Sequence, residues 1–303
     1  MKCVLSRGRW PVATALILTV CAFAAGCSSD DPKAPPMATP SVTLNPARVP
    51  LGNPVEMTYK FVVAGDAKFT QDYRVMVHFI DQNDGVMYMD DHDPPVPTSS
   101  WTPGQTIEYT RRFFAPVYPY VGDATIEVGL YCKGCELRAP LAGTDVGHRS
   151  YKVAAVTLLS QNEGVPVLYK DGWYESEGSD TSGEGSWHWM KKDATLAVRN
   201  PKKDSVFYLK VGNPGGPFKE PQRVTVSLDG STPIDSFTVV SSDPTVTLRT
   251  IPISAAAWGT RDTVELHFAV DKAFVPSQIA ASFNDPRELG VRVFRAVVVP
   301  SGS

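Results

Sequence analysis

Over 41–160 the hydrophobic positions recur with a period of two. Val55, Met57, Tyr59, Phe61 and Val63 alternate with Glu56, Thr58 and Lys60, and Tyr73, Val75, Val77 and Phe79 alternate with Arg74, Met76 and His78. Ile126, Val128 and Leu130 alternate with Thr125, Glu127 and Gly129. Successive side chains of a strand point to opposite faces, so each run predicts a strand with one buried face. Turn chemistry separates the runs at Asn83-Asp84-Gly85, Thr102-Pro103-Gly104 and Val121-Gly122-Asp123. About seven such strands, with no amphipathic helix between them, predict an immunoglobulin-like β-sandwich over 41–160.

The pattern restarts near Gly164. Val206 and Tyr208 face away from Phe207 and Leu209; Val224, Val226 and Leu228 alternate with Thr225 and Ser227. Val264, Leu266, Phe268 and Val270 alternate with Glu265, His267 and Ala269, and Val291 and Val293 begin a last strand. Asn213-Pro214-Gly215-Gly216 and Asp229-Gly230 supply turns. Only 254–258 reads as a helical turn. The prediction is a second β-sandwich over 164–300, jelly-roll-like, in an all-β chain.

Composition agrees. The 303 residues include 26 Pro and 23 Gly, too many for a helical protein and too aperiodic for collagen, and 43% hydrophobic residues can fill a core. A net charge of −3 offers no basic excess for phosphates, so nucleic acid is not an expected partner.

The N-terminus adds a compartment. Lys2, Arg7 and Arg9 precede an apolar stretch that is shorter than the ~20 residues of a membrane span and fits a secretory signal. Ala24-Ala25-Gly26-Cys27 resembles the lipobox of bacterial lipoproteins. The resemblance implies removal of 1–26, lipidation at the Cys27 sulfur and attachment to a membrane through that lipid. Ser28 after the Cys implies sorting to the outer membrane of the cell envelope. Cleavage would remove three basic residues and no acid, moving the net charge from −3 to −6. Residues 27–40 then read as a flexible tether.

Cys132 and Cys135 remain in the body of the chain. Outside the cytoplasm two nearby thiols usually oxidise, which favours a disulfide across a tight turn. A zinc site would need a second ligand pair, and a redox pair would normally open a helix, whereas Cys132 ends a strand pattern.

The run Asp72-Tyr73-Arg74-Val75-Met76-Val77-His78-Phe79-Ile80-Asp81, with Gly85, Pro97-Thr98-Ser99-Ser100-Trp101-Thr102-Pro103-Gly104 and Val128-Gly129-Leu130-Tyr131, resembles a sandwich module of bacterial surfaces. That module recurs beside membrane glycosyltransferases and in envelope proteins, and the likeness covers roughly residues 50–145. It implies architecture, and it places the cysteines in a hairpin turn. Asp285-Pro286-Arg287-Glu288-Leu289-Gly290 resembles the end of sandwich domains in polysaccharide-related proteins.

Three segments carry candidate chemistry. Trp173, Tyr174, Trp187, His188 and Trp189 flank a polar Gly/Ser-rich loop. Flat rings stack on the C–H faces of sugars while carboxylates take hydroxyls, so Trp173, Tyr174, Trp187 and Trp189 form a candidate carbohydrate-binding patch. The competing reading packs Trp187 and Trp189, which share one strand face, into a core. Asp90-Asp91-His92-Asp93-Pro94-Pro95 is the densest polar cluster, but alternation turns Asp91 and Asp93 away from His92, and a solvated loop is the expectation. Asp81-Gln82-Asn83-Asp84-Gly85 reads as a hairpin turn, because His92 stands where a calcium loop needs its last carboxylate. His78, His148 and His267 stand singly, and no nucleophile, metal or phosphate motif is present. The expectation is a lipid-anchored, non-catalytic envelope protein with no metal or cofactor that binds or organises surface polysaccharide. The alternative is a scaffold for a protein partner in an envelope assembly.

Overall fold

A computed structural model describes residues 34–178, 185–230, 232–243, 245–280 and 282–302. The signal sequence, Cys27 and the start of the tether lie outside the described residues. The first half consists of β1 (Ala38–Asn45), β2 (Arg48–Pro50), β3 (Pro54–Val63), β4 (Arg74–Ile80), β5 (Val86–Met89), β6 (Thr106–Phe114), β7 (Gly122–Tyr131), β8 (Thr144–Asp145) and β9 (Tyr151–Leu159). Sheet β1-β3-β6 faces sheet β2-β9-β7-β4-β5, with β8 beside β9. The pairs are antiparallel except β2 with β9. The alternating runs explain the core. Val55, Met57, Tyr59, Phe61 and Val63 point inward from β3 and meet Val75, Val77 and Phe79 of β4 and Ile126, Val128 and Leu130 of β7, all nearly inaccessible to solvent. Each such side chain stabilises the fold by roughly 1.5–3 kcal/mol.

Two local expectations change. Ala38, Thr39 and Pro40, assigned to the tether, already pair with Val63, Val62 and Phe61, and Ala38 is buried. Pro40 is tolerated because β1 lies at a sheet edge. Gly122, assigned to a turn, opens β7 instead.

The second half consists of β10 (Val167–Tyr169), β11 (Trp173–Glu177), β12 (Trp187–Met190), β13 (Asp193–Arg199), β14 (Ser205–Gly212), β15 (Gln222–Leu228), β16 (Thr232–Val239), β17 (Thr247–Ile253), β18 (Thr263–Val270) and β19 (Arg292–Pro300). They form two antiparallel five-stranded sheets, β10-β13-β18-β15-β16 and β11-β12-β19-β14-β17. Between consecutive strands the chain usually switches sheet; only the hairpins β11–β12 and β15–β16 stay within one. A second core, separate from the first, holds Leu196, Phe207, Leu209, Val226, Leu266, Phe268, Val293 and Trp258. Trp258 ends the single-turn helix α1 (Ala255–Trp258), capped by Ser254, whose hydroxyl accepts from the Ala257 N–H at 3.2 Å. A second short turn, α2 (Pro276–Ile279), has no counterpart in the sequence reading. No helix among the described residues is long and apolar enough to cross a membrane.

Candidate functional site

Strand register separates the four predicted aromatics. Trp173 lies directly beside Met190, which is fully buried, so Trp173 faces the core. Its ring meets Tyr169 at 5.0 Å and Phe268 at 5.6 Å, and its indole N–H donates to the Thr195 carbonyl at 2.8 Å. Alternation from Met190 puts Trp187 and Trp189 on the opposite, outer face, where Glu177 pairs beside Trp187 and Arg292 beside Trp189. The outer face therefore brings together Tyr174, Trp187 and Trp189 and excludes Trp173.

These three rings are not equally open. Trp189 is buried under Phe274, at 5.9 Å, which is itself backed by Phe218. Trp173 thus packs against the core, whereas Trp187 and Trp189, the pair for which core packing was the alternative, lie on the outer face, where Trp189 is covered. Trp187 is half-buried against Phe294, and Gly178 crosses its ring so closely that a Cβ there would lie 2.3 Å from the indole. With a φ of +98°, that position requires glycine. Tyr174 is half-buried beneath the Arg287 guanidinium, at 5.0 Å, with the Lys191 ammonium at 5.5 Å. Residues 179–184 of the loop between β11 and β12 lie outside the described residues.

Cations organise the face, and the sequence reading missed them. Arg292 sits 5.3 and 5.2 Å from the Trp187 and Trp189 rings and donates to the Pro214 carbonyl. Burial lowers its pKa, and its Nε has no partner among the described residues. The Trp187 indole N–H is likewise buried and unpartnered. Arg287 donates to both Asp285 oxygens, at 2.7 to 3.1 Å, and to Glu177. Those bonds raise the Arg287 pKa and hold Asp285 below the usual carboxylate range. Arg287 falls in the closing motif that resembles polysaccharide-related domains, which was the available signal. The position of Arg292 follows from cross-strand register, which a single strand does not display.

The Asp90 cluster is not the solvated loop the sequence suggested. Asp90 and His92 are 8% and 5% exposed, because the segment after β5 continues to pair with β4 at Val75 and Val77. Tyr59 donates its hydroxyl to Asp90 at 2.9 Å, and Arg111 donates two bonds to the same carboxylate, each at 2.9 Å. His92 Nδ1 donates to the Asp90 carbonyl at 2.6 Å, so Nε2 accepts from the Tyr109 hydroxyl at 2.8 Å. Burial is the largest influence on three groups: it lowers the pKa of His92 and raises those of Tyr59 and Tyr109. Asp91 and Asp93 point the other way, as alternation predicts; Asp91 accepts from the Val77 N–H and Asp93 from Arg74. The cluster is a polar staple between the two sheets. No group of three or more His, Cys, Asp or Glu side chains among the described residues is arranged to hold a metal ion.

Asp81 accepts from the Asn83 and Gly85 N–H groups at 2.8 Å and closes the β4–β5 hairpin. Cys132 and Cys135 lie at disulfide distance across the turn after β7, with Cα atoms 5.3 Å apart. His78 approaches Asp91 at 3.6 Å, His148 sits in an exposed turn at φ +53°, and His267 lies on the outer face of β18 beside Thr195.

No family model and no curated protein matches the chain. Among solved structures, a family GH115 4-O-methyl-α-glucuronidase with specificity for decorated arabinogalactans is similar at 16% identity and a TM-score of 0.32; the match covers 52% of this chain and 20% of that one. The M60 catalytic domain of Clostridium perfringens ZmpB with its two CBM51 domains is similar at 12% identity and a TM-score of 0.25, covering 89% and 32%. The sporulation control protein Spo0M of Bacillus subtilis gives 9% identity and a TM-score of 0.24, covering 73% and 92%. At these scores none of them transfers an activity or a ligand to this chain.

Proposed function

We propose that the chain is a non-catalytic, lipid-anchored protein of the bacterial cell envelope that binds surface polysaccharide through the outer face of β11-β12-β19. The observation that carries the reading is the meeting of Tyr174 and Trp187, both part-exposed, with Glu177, Arg287 and Lys191 on one sheet face. Part-exposed rings offer C–H stacking surface, and the charged groups around them offer hydrogen bonds to hydroxyls. The reading is non-catalytic because Glu177 and Asp285 are both bound to Arg287, and a carboxyl acting as general acid needs a raised pKa rather than the lowered one of Asp285.

The test is a pull-down of the full chain, in detergent micelles, on immobilised envelope polysaccharide. Tyr174→Ala with Trp187→Ala should weaken binding about tenfold, the scale of two lost ring contacts. Unchanged binding by that double variant would sink the assignment. Trp173→Ala is unsuitable as a binding probe, since it opens the core.

The scaffold reading is favoured by one feature. Val86 and Met89 are 46% and 59% exposed on β5, an open sheet edge that can accept a partner strand. A photo-crosslinker at position 89 that captures one stoichiometric envelope protein, in a chain that binds no glycan, would select it.

A further inference from the structure

The opposite sheet of the second sandwich presents a different surface. Its core face carries Leu196, Val226, Leu266 and Phe268. On its outer face, register aligns Asp193, Ala269 and Thr225 in one row across β13, β18 and β15, and Thr195, His267 and Ser227 in the next. These short side chains leave a hollow of about 300 Å³, bordered by Asp171 and Gly230. Gly230 holds a φ of +69° that suits glycine, and a Cβ added there would lie 3.7 Å from the His267 ring. The imidazole is fixed, with Nδ1 3.2 Å from the Thr195 hydroxyl and Nε2 3.4 Å from Glu265.

Beside the bonded Thr195 and His267, four polar side chains of this hollow lack a hydrogen bond. The carboxylates of Asp171 and Asp193 and the hydroxyls of Thr225 and Ser227 make no hydrogen bond among the described residues. Of the nearby cations, Arg261 pairs with Asp229, and Lys170 donates to Glu265 while its charge also acts on Asp171. The hollow therefore combines two carboxylates that accept no hydrogen bond from the described residues with two hydroxyls, in a space at the lower end of ligand-site volumes.

We propose that this hollow binds one neutral or amine-bearing saccharide unit, whose hydroxyl or ammonium groups donate to Asp171 and Asp193 and whose hydroxyl oxygens accept from Thr225 and Ser227. The site rests on the glycan-binding reading above but lies on the other sheet and selects a different chemistry. A hydroxyl donating to a carboxylate makes a charge-assisted bond, the strong class. A uronic acid would place a third carboxylate beside the two already present, and like charges brought together cost affinity. Binding of a single unit in an open hollow is weak, with a Kd on the order of millimolar.

The test uses the full chain in detergent micelles, with glucose, glucosamine and glucuronic acid as probes in isothermal titration. Glucose or glucosamine should bind, with glucuronic acid at least about fivefold weaker. Asp171→Asn combined with Asp193→Asn should weaken binding about tenfold, Thr225→Trp should fill the hollow and abolish it, and Tyr174→Ala with Trp187→Ala should leave it unchanged. Matching thermal midpoints establish that each variant is folded. Equal binding of glucuronic acid, or unchanged binding in both hollow variants, overturns the proposal. Polysaccharide binding that depends on Tyr174 and Trp187, without any binding of the single sugars, overturns the hollow and leaves the broader reading standing. Binding of neither single sugars nor polysaccharide overturns both.

Discussion

The Asp90–His92 staple of the first sandwich and the hollow on the second use similar residue types in opposite ways. The staple gathers a carboxylate, an imidazole, a guanidinium and two phenols, and every one has a partner inside the protein. The hollow gathers two carboxylates, two hydroxyls and a histidine from four chain segments, and four of those five groups have no hydrogen bond within the described residues. The dense cluster in the sequence is therefore structural, and the dispersed residues are the ones left available to a ligand. Hydrogen-bonding capacity that is not used internally marks a site better than the local density of reactive residue types does.

The largest effect that could break this contrast is at Asp90. Asp90→Ala leaves Arg111 without its carboxylate and the fully buried Tyr59 hydroxyl without its acceptor. Removing one partner from a buried charged network costs about 3–5 kcal/mol. Thermal or urea unfolding of the first sandwich should show a loss of that size. A change below about 1 kcal/mol would mean that the network does not hold the sheets together.

A smaller effect is expected with pH. His92 has a folded pKa below its ordinary value, so the unfolded chain takes up the proton first as the pH falls. The stability contributed by neutral His92 is fully present above about pH 6.5, the ordinary histidine value, and is lost as pH falls from there through the lower folded value. Protonation would also force the Nε2–Tyr109 bond to reverse, with Nε2 donating to the hydroxyl oxygen, and would add a positive charge beside Arg111, which the Asp90 and Asp91 carboxylates offset only in part. A pH series of melting midpoints should fall in this window for the natural chain and flatten for His92→Gln. Equal slopes in the two would show that another group carries the acid sensitivity.

The same contrast explains what was legible in the sequence. The alternation over Val55 to Val63 and Val264 to Val270 marked strands whose inward residues are buried as read, because period two is a local property. Two sandwiches followed from the same signal. Alternation also separated His92 from Asp91 and Asp93 correctly, yet the burial of Asp90 and His92 was missed, since it depends on Tyr59, Tyr109 and Arg111 in other strands. Trp187 and Trp189 were placed on one face, but which face depends on Met190 meeting the core. The hollow was invisible for the same reason: Thr195, His267 and Ser227 are neighbours only through register across three strands.

The finest test of the contrast lies in the hollow. Thr225→Val and Ser227→Ala remove hydroxyls that have no hydrogen-bond partner among the described residues, from outward positions of β15 beside β18. Valine fits a pleated surface as well as threonine, so the pair of substitutions should change stability by no more than about 0.5 kcal/mol. The same substitutions delete two donors aimed into the hollow, and each lost neutral hydrogen bond should weaken binding of glucose or glucosamine about fivefold. A measured loss of stability well above that figure would mean that the hydroxyls serve the fold, and the two regions would then differ in degree rather than in kind. Unchanged stability with weakened sugar binding separates them, because no internal role accounts for groups whose removal affects only the ligand.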